Sequence, residues 1–359
     1  MTHRVIFIDL ARALAVVMMV YGHTVSALLA REYRAGPWFD AWMFQRGLTS
    51  SLFLLLSGFA FAIATTRHWP AHARVTPAVW RRIRRFGLFI LLGYALHFPG
   101  AHIWELPYLT DDRWRSFFAV DVLQLIGVTF IVIQLVVLVV QSRRAFMAVA
   151  LALAALVVWV TPAVWSAEWW RGMPLVVASY FTQALGSQFP LIPWAAFVLV
   201  GAGVGQIYAR WGAGHLAAFA HGFIAAGVVL GAFALVALGG IPSVVVLRTG
   251  ICLALLGVIA HASRFINRLP HVFGAVAQES LVIYFVHLLI VYGSAWNRGL
   301  VQIYGETLQP LATLGVVLAM LAAMVLLAWQ WNRLKHAHPR AARWVSTAVG
   351  AWLMVNLLF

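Results

Sequence analysis

Residues 5–30 read VIFIDLARALAVVMMVYGHTVSALLA, and this stretch decides the fold class. It is longer than the roughly 20 apolar residues that a helix needs to cross a bilayer. It nevertheless contains Asp9, Arg12 and His23. Each ionisable side chain inside a membrane helix costs roughly 2.5–3.5 kcal/mol on insertion scales. We therefore expect these three side chains to face protein or water rather than lipid.

The spacing of the three residues places them on one stripe of a helix. Asp9 and Arg12 are three residues apart, so they are neighbours on one face and can form an ion pair. Arg12 and His23 are eleven residues apart, about three helical turns. His23 therefore lies on nearly the same face as Arg12, about 16 Å further along the axis. A satisfied Asp9–Arg12 pair, with His23 in the outer interface, is the alternative to a functional site.

The composition predicts an all-α, polytopic transmembrane helical bundle that forms a single domain over residues 1–359. The chain is 63% hydrophobic and 10% charged, with a mean hydropathy of +0.90, whereas soluble domains are about 25% charged. Because the third and last runs are short, the prediction is ten or eleven spans. The apolar runs are 5–29, 42–64, 83–98, 117–140, 145–163, 188–208, 216–239, 244–262, 274–292, 310–332 and 342–358.

The distribution of Lys and Arg predicts the orientation in the membrane. With the N-terminus in the cytoplasm, these residues are about twice as frequent in the cytoplasmic loops as in the external ones. This indicates a multi-pass protein of the cytoplasmic (inner) membrane, and it explains the net charge of +15 without a nucleic-acid surface. Cys252 is the sole cysteine, and no His cluster has metal-ligand spacing, so no metal site is predicted.

A basic cluster, RRIRR at residues 81–85, is the first further candidate. Arg81, Arg82 and Arg85 could anchor the chain to anionic lipid, or they could bind a polyphosphate ligand, since guanidinium groups match phosphate oxygens. Ser57 lies in the run SLFLLLSGFAFA, where small residues favour close helix packing. A hydroxyl-donor role for Ser57 is the alternative.

Two more apolar runs carry polar residues. Asp121 and Gln124 share a face near the outer end of the fourth run, where the carboxylate could orient an imidazole or simply begin a helix. Glu279 and His287 lie on nearly the same face of the ninth run, two turns apart, and Tyr284 could join them in a second polar stripe. The alternative for His287 is a hydrogen bond to the backbone or a tyrosine hydroxyl in the core.

These segments, taken in order, resemble the integral-membrane acyltransferase 3 superfamily. Arg12-X10-His23, preceded by Asp9, is similar to that superfamily's R-X10-H motif, and SLFLLLSGFAFA is similar to its second-span LSGF segment. FPLIPWAAFVLVGAGVGQ (189–206) and SLVIYFVH (280–287) resemble segments of the related heparan-alpha-glucosaminide N-acetyltransferase catalytic-domain group. The resemblance runs to about residue 290, and Ala13 departs from it, because a Gly often follows the arginine there.

The resemblance implies transfer of an acyl group, in particular an acetyl group, from cytoplasmic acyl-CoA to a hydroxyl or amine of a glycan or other cell-envelope acceptor. It implies acyl-CoA (acetyl-CoA) as a co-substrate, no permanently bound cofactor, and membrane lipids as surroundings. His23 would act as general base, Arg12 would bind the thioester oxyanion or a donor phosphate, and Asp9 would hold Arg12. Glu279 and His287 would line the same cavity. Direct transfer and an acyl-histidine intermediate both remain open.

A transporter of an anionic or lipid-linked substrate is the competing interpretation, since transport also uses polar residues inside the membrane. Transporters often repeat such features in two halves. The chain has no second copy of the Arg12/His23 pattern, which favours an enzyme. A polytopic scaffold without chemistry is the third possibility.

Overall fold

A computed structural model describes residues 5–266 and 268–358, and within them it confirms the all-α class. Arg4, one of the predicted cytoplasmic basic residues, lies outside the described part. Besides short helical turns, the described chain contains a two-stranded hairpin, β1 (Gly293–Ser294) and β2 (Asn297–Arg298). The helices are α1 (Ile6–Leu28), α2 (Pro37–Arg67), α3 (Trp69–His72), α4 (Pro77–Leu96), α5 (Asp111–Phe118), α6 (Val122–Val140), α7 (Arg143–Ser166), α8 (Leu175–Ala178), α9 (Leu191–Ile207), α10 (Leu216–Ala237), α11 (Gly240–Ser263), α12 (His271–Gln278), α13 (Ser280–Tyr292), α14 (Leu300–Tyr304), α15 (Pro310–Ala337) and α16 (Pro339–Leu358).

Among the described residues, eight helices are long and apolar enough to cross a membrane, and the bent pair α12–α13 would make a ninth. The span count is therefore eight or nine by length and composition, lower than the predicted ten or eleven. Helix α4 falls short because its uncharged part, residues 86–96, extends only about 16 Å. Helix α16 also falls short. Arg340 and Arg343 lie in its first turns, so the apolar part that remains is shorter than the hydrocarbon core, which is about 30 Å thick.

The chain divides into two compact units, which are described separately. The first contains the described residues of 1–49, 96–114 and 268–359, and the second contains residues 50–95 and the described residues of 115–267. The single domain over residues 1–359 stays a prediction.

In the first unit, α1 packs against α12, α13 and α15. The shared core contains Val16 and Val20 of α1, Ile283 of α13, and Met320 and Met324 of α15. Such a core fixes α1 in rotation, because its apolar stripe is buried against three neighbours.

The last turn of α1 is held by arginine side chains from the loop that follows it. The Arg34 guanidinium donates to the carbonyl oxygens of Ser26 (2.9 Å) and Leu29 (2.7 Å) and to the Glu306 carboxylate (3.0 Å). Arg31 donates to the same carboxylate at 2.7 Å. The hydrogen bond from Arg31, with the charges of both arginines, lowers the pKa of Glu306. Two carbonyl groups at this helix end thus accept from the Arg34 cation, as helix C-termini favour, and Arg31 supports it through Glu306.

In the second unit, small residues let α2 and α9 approach closely. A Cβ atom at Gly58 would overlap the carbonyl oxygen of Val198, and one at Gly201 would overlap that of Leu55. The close packing predicted for the small residues of SLFLLLSGFAFA is confirmed at Gly58. Helix α9 begins directly after Pro190, a residue type that suits helix starts.

Candidate functional site

The polar stripe on α1 exists as predicted from its spacing. Helix α1 is continuous from Ile6 to Leu28, so Arg12 and His23 lie about 16 Å apart along its axis. Asp9, Arg12 and His23 are half-buried, whereas Leu14, on the opposite face, is exposed. This pattern agrees with a stripe that avoids lipid. The ion pair between Asp9 and Arg12 stays a prediction.

His23 lies beside two aromatic side chains of α13. Its Nδ1 is 3.1 Å from the hydroxyl oxygen of Tyr292, and the two rings meet edge to face at 5.6 Å. The His287 ring is 5.3 Å from the His23 ring, centroid to centroid. Tyr284 contacts His287 from one turn earlier, with ring centroids 5.9 Å apart. The structure thus joins the polar stripes of α1 and α13 at the level of His23.

The orientation of His287 is set by its own helix. His287 is fully buried, and its Nδ1 lies 2.7 Å from the Ile283 carbonyl oxygen. Since a carbonyl oxygen only accepts, Nδ1 carries the proton, and Nε2 is the basic nitrogen of the neutral ring. The backbone hydrogen bond foreseen as the alternative for His287 is therefore present. It also fixes the tautomer of a ring that touches His23.

Glu279 does not continue the stripe of His287, because the predicted continuous helix over 274–292 is wrong. Helices α12 and α13 meet at Glu279 with a bend of 72°. The carboxylate is 2% exposed and lies 2.7 Å from Lys335 Nζ, and it accepts from Asn332 Nδ2 at 2.9 Å. These contacts attach the break to α15. A place for Glu279 in the same cavity as His287 stays a prediction.

Tyr292 is the functional candidate that the sequence analysis missed. It is the last residue of α13, five positions after His287 and so off the stripe predicted from helical periodicity. Its contact with His23 arises from the packing of α1 against α13, which no local pattern reports. Gly293, with φ +78°, ends the helix directly after it.

The basic cluster at the start of α4 separates into two kinds of side chain. Arg81 and Arg85 are exposed, whereas Arg82 donates to Gln134 Oε1 (3.1 Å) and Thr65 Oγ1 (2.9 Å). Burial, with the charge of Arg85, lowers the pKa of Arg82 to about 10, so its guanidinium stays charged at neutral pH. Phosphate binding by these arginines stays a prediction.

The remaining candidates have local structural partners. Asp121 accepts from the Val122 amide at 2.7 Å, and Gln124 Oε1 accepts from the Asp121 amide at 3.2 Å, which forms a capping box at the start of α6. Ser57 donates to the Phe53 carbonyl one turn earlier at 2.8 Å. The capping box matches the structural alternative for Asp121 and Gln124. Catalytic or supporting roles for Asp121, Gln124 and Ser57 stay predictions. Within the described ranges, no group of three or more His, Cys, Asp or Glu side chains could hold a metal ion.

A comparison with protein families finds a match over residues 4–237, which is nearly two thirds of the chain. The matching family is described as heparan-alpha-glucosaminide N-acetyltransferase, catalytic. The match includes the α1 stripe and ends in α10, before the α13 residues that contact His23. A comparison with curated proteins finds no match.

Proposed function

Because the chain belongs to the heparan-alpha-glucosaminide N-acetyltransferase catalytic family, we propose that it transfers an acetyl group from acetyl-CoA to an acceptor hydroxyl or amine. The acceptor is a glycan or another molecule of the cell envelope. The family and the apolar helices make the chain a multi-pass membrane protein of acetyltransferase type. The basic loops support an inner-membrane location with a cytoplasmic N-terminus.

The observation that carries this proposal is the contact of His23 with Tyr292 and His287. A sugar hydroxyl or amine is a poor nucleophile until a base removes its proton, and histidine is suited to that role near neutral pH. In the required tautomer, His23 Nδ1–H donates to the Tyr292 oxygen, 3.1 Å away, and Nε2 accepts the proton. Tyr292 and His287 then hold the imidazole in place.

The proposed reaction needs one base and no further reactant. The acceptor loses its proton to His23 Nε2 and attacks the thioester carbonyl carbon. The tetrahedral intermediate collapses, the carbon–sulfur bond breaks, and the leaving thiolate takes the proton from His23. In the acyl-histidine route, Nε2 first attacks the thioester carbonyl carbon, and the carbon–sulfur bond breaks to release the CoA thiolate. The acceptor then attacks the acyl-imidazole, the bond from the carbonyl carbon to Nε2 breaks, and the proton of the acceptor passes to the CoA thiolate.

The distance along α1 favours one of the two roles proposed for Arg12. Arg12 lies about 16 Å from His23, too far for both to touch the same thioester. A donor phosphate is the better partner, because acetyl-CoA separates its phosphates from its thioester by an extended pantetheine arm. Asp9, one turn before Arg12, would orient the guanidinium and limit the cost of burying its charge.

Donor binding by purified protein in detergent tests this assignment. The wild type should bind acetyl-CoA and release CoA slowly by hydrolysis. Arg12→Ala should weaken binding roughly 10- to 100-fold, since a hydrogen bond to a charged group contributes about 1.5–3 kcal/mol. Arg340→Ala, which removes an exposed arginine of α16, is the matched control and should bind normally. A folded wild type that binds no acetyl-CoA would refute the proposal.

A transporter is the second candidate, and the broken pair α12–α13 favours it. Broken helices with charged groups at the break are common in secondary transporters. The break here carries the buried Glu279 carboxylate and Lys335. Uptake of a labelled anion by vesicles containing the protein, without CoA release, would support transport instead of acylation.

A further inference from the structure

One end of the α10–α11 hairpin carries several basic side chains. The rings of His221, near the start of α10, and His261, near the end of α11, have centroids 5.3 Å apart. Arg264 follows directly, with Nη1 3.5 Å from His261 Nδ1. Arg210, in the turn before α10, is exposed. We refer to Arg210, His221, His261 and Arg264 as the hairpin patch.

The hairpin patch lies in a stretch without acidic residues. Residues 169–278 contain no aspartate or glutamate. The sequence of the second unit has two acidic residues in all, Asp121 and Glu168. Asp121 caps α6, and Glu168 pairs with Arg171 at 2.7 Å. Both carboxylates of this unit therefore have contacts elsewhere, and the hairpin patch carries the positive charge of Arg210 and Arg264.

Exposed aromatic side chains follow the two arginines of the hairpin patch directly in the sequence. Trp211 is 47% exposed and stacks on His215 at 5.2 Å, while Phe265 is 78% exposed and meets the His261 ring at 6.0 Å. Helices α10 and α11 are candidate spans, and α10 exposes Val229 and other apolar side chains. Aromatic and basic side chains at the end of a lipid-facing helix are typical of the headgroup level of a bilayer.

We propose that the hairpin patch binds the headgroup phosphate of an anionic phospholipid. Arg210 and Arg264 supply fixed positive charge, and the two imidazole rings supply N–H donors between the helices. Trp211 and Phe265 lie beside the glycerol and upper acyl region. Basic pockets between membrane helices are known to suit such headgroups. The lipid would join α10 to α11 in addition to their own packing.

Native mass spectrometry of the full chain in detergent, titrated with phosphatidylglycerol or phosphatidylcholine, tests this site. The wild type should retain phosphatidylglycerol in preference to phosphatidylcholine. Arg264→Gln should weaken phosphatidylglycerol binding about fivefold, the contribution expected of one basic residue near an anionic lipid surface. Arg264→Lys should keep most of the binding. Arg144→Gln removes an exposed arginine of α7 and should leave binding unchanged.

Three results would overturn the proposal. Equal losses in Arg264→Gln and Arg144→Gln would show a diffuse charged surface, and equal retention of the two lipids would show no headgroup preference. Complete displacement of the lipid by millimolar inorganic phosphate would identify a free-anion site. His221→Gln provides a second variant if Arg264→Gln does not fold, and it should also lower phosphatidylglycerol binding severalfold.

Discussion

The ion pair at the α12–α13 break leads to a stability prediction for Lys335→Met. Lys335 Nζ lies 2.7 Å from Glu279 Oε1 and 2.8 Å from Oε2, and Glu279 is 2% exposed. Without the ammonium group, Asn332 Nδ2, at 2.9 Å, is the side-chain donor that remains to this carboxylate among the described residues. The variant therefore leaves a buried carboxylate poorly compensated.

The expected cost follows from the burial of the two partners. Breaking a buried ion pair by removing one partner costs about 3–5 kcal/mol. The Lys335 side chain is 41% exposed, so water screens part of the interaction, and we expect about 2–3 kcal/mol. For a chain of 359 residues that corresponds to a decrease in Tm of about 3–4 °C.

Thermal unfolding can be followed with a thiol-reactive dye, because the single cysteine, Cys252, is buried in the folded protein. Lys335→Met should lower the Tm, whereas the double variant Glu279→Gln/Lys335→Met should recover most of the loss, because no buried charge remains. Arg340→Met is the control for loss of an exposed charge. An unchanged Tm in Lys335→Met, or a double variant as unstable as the single one, would refute the reasoning.

Three further predictions concern catalysis, packing and acid stability. Tyr292→Phe should lower kcat about fivefold to tenfold with little change in KM, because it removes the hydrogen bond to His23 but keeps the ring. Gly58→Ala should destabilise the protein by roughly 2 kcal/mol or more, because the new Cβ overlaps a backbone carbonyl of α9. Glu306→Gln should abolish an acid-dependent part of stability. The ionised carboxylate stabilises the fold. This contribution is lost as the pH falls below 4.5, the ordinary pKa of the group, and through the lowered pKa that Glu306 has in the folded protein.

Each of these variants has its own control measurement. CoA-release assays across pH should show a changed profile for Tyr292→Phe, and an unchanged kcat would remove Tyr292 from the site. Gly87→Ala, whose Cβ meets nothing within 4 Å, should be neutral or slightly stabilising, and equal effects at both glycines would contradict the packing argument. The Tm difference between wild type and Glu306→Gln should shrink between pH 6 and pH 3.5; a constant difference would exclude the ionised carboxylate as its source.

Helical periodicity and the cost of buried charge predicted the α1 stripe well. Both rules act within one helix, so the spacing of Arg12 and His23 was sufficient to place them on one half-buried face. Local patterns also predicted the close packing near Gly58, and they predicted that Asp121 either orients an imidazole or begins a helix. The family was indicated by the resemblance of these segments to known motifs rather than by such local rules, and the family match agrees with it.

Interactions between distant segments could not be predicted from local patterns. Residues 274–292 contain neither proline nor an internal glycine near Glu279, so no local signal marks the 72° bend there. That break is supported by Asn332 and Lys335, more than fifty positions later. The contact of Tyr292 with His23 likewise depends on how α1 packs against α13.

CoA release from acetyl-CoA by purified His23→Ala, compared with wild type and His338→Ala, tests the central claim most directly. General-base catalysis contributes about 10²–10⁴-fold, so His23→Ala should retain donor binding and lose at least about 100-fold in CoA release. His338→Ala removes an exposed histidine and should behave as wild type. Undiminished CoA release by a folded His23→Ala variant would contradict the assignment of His23 as the catalytic base.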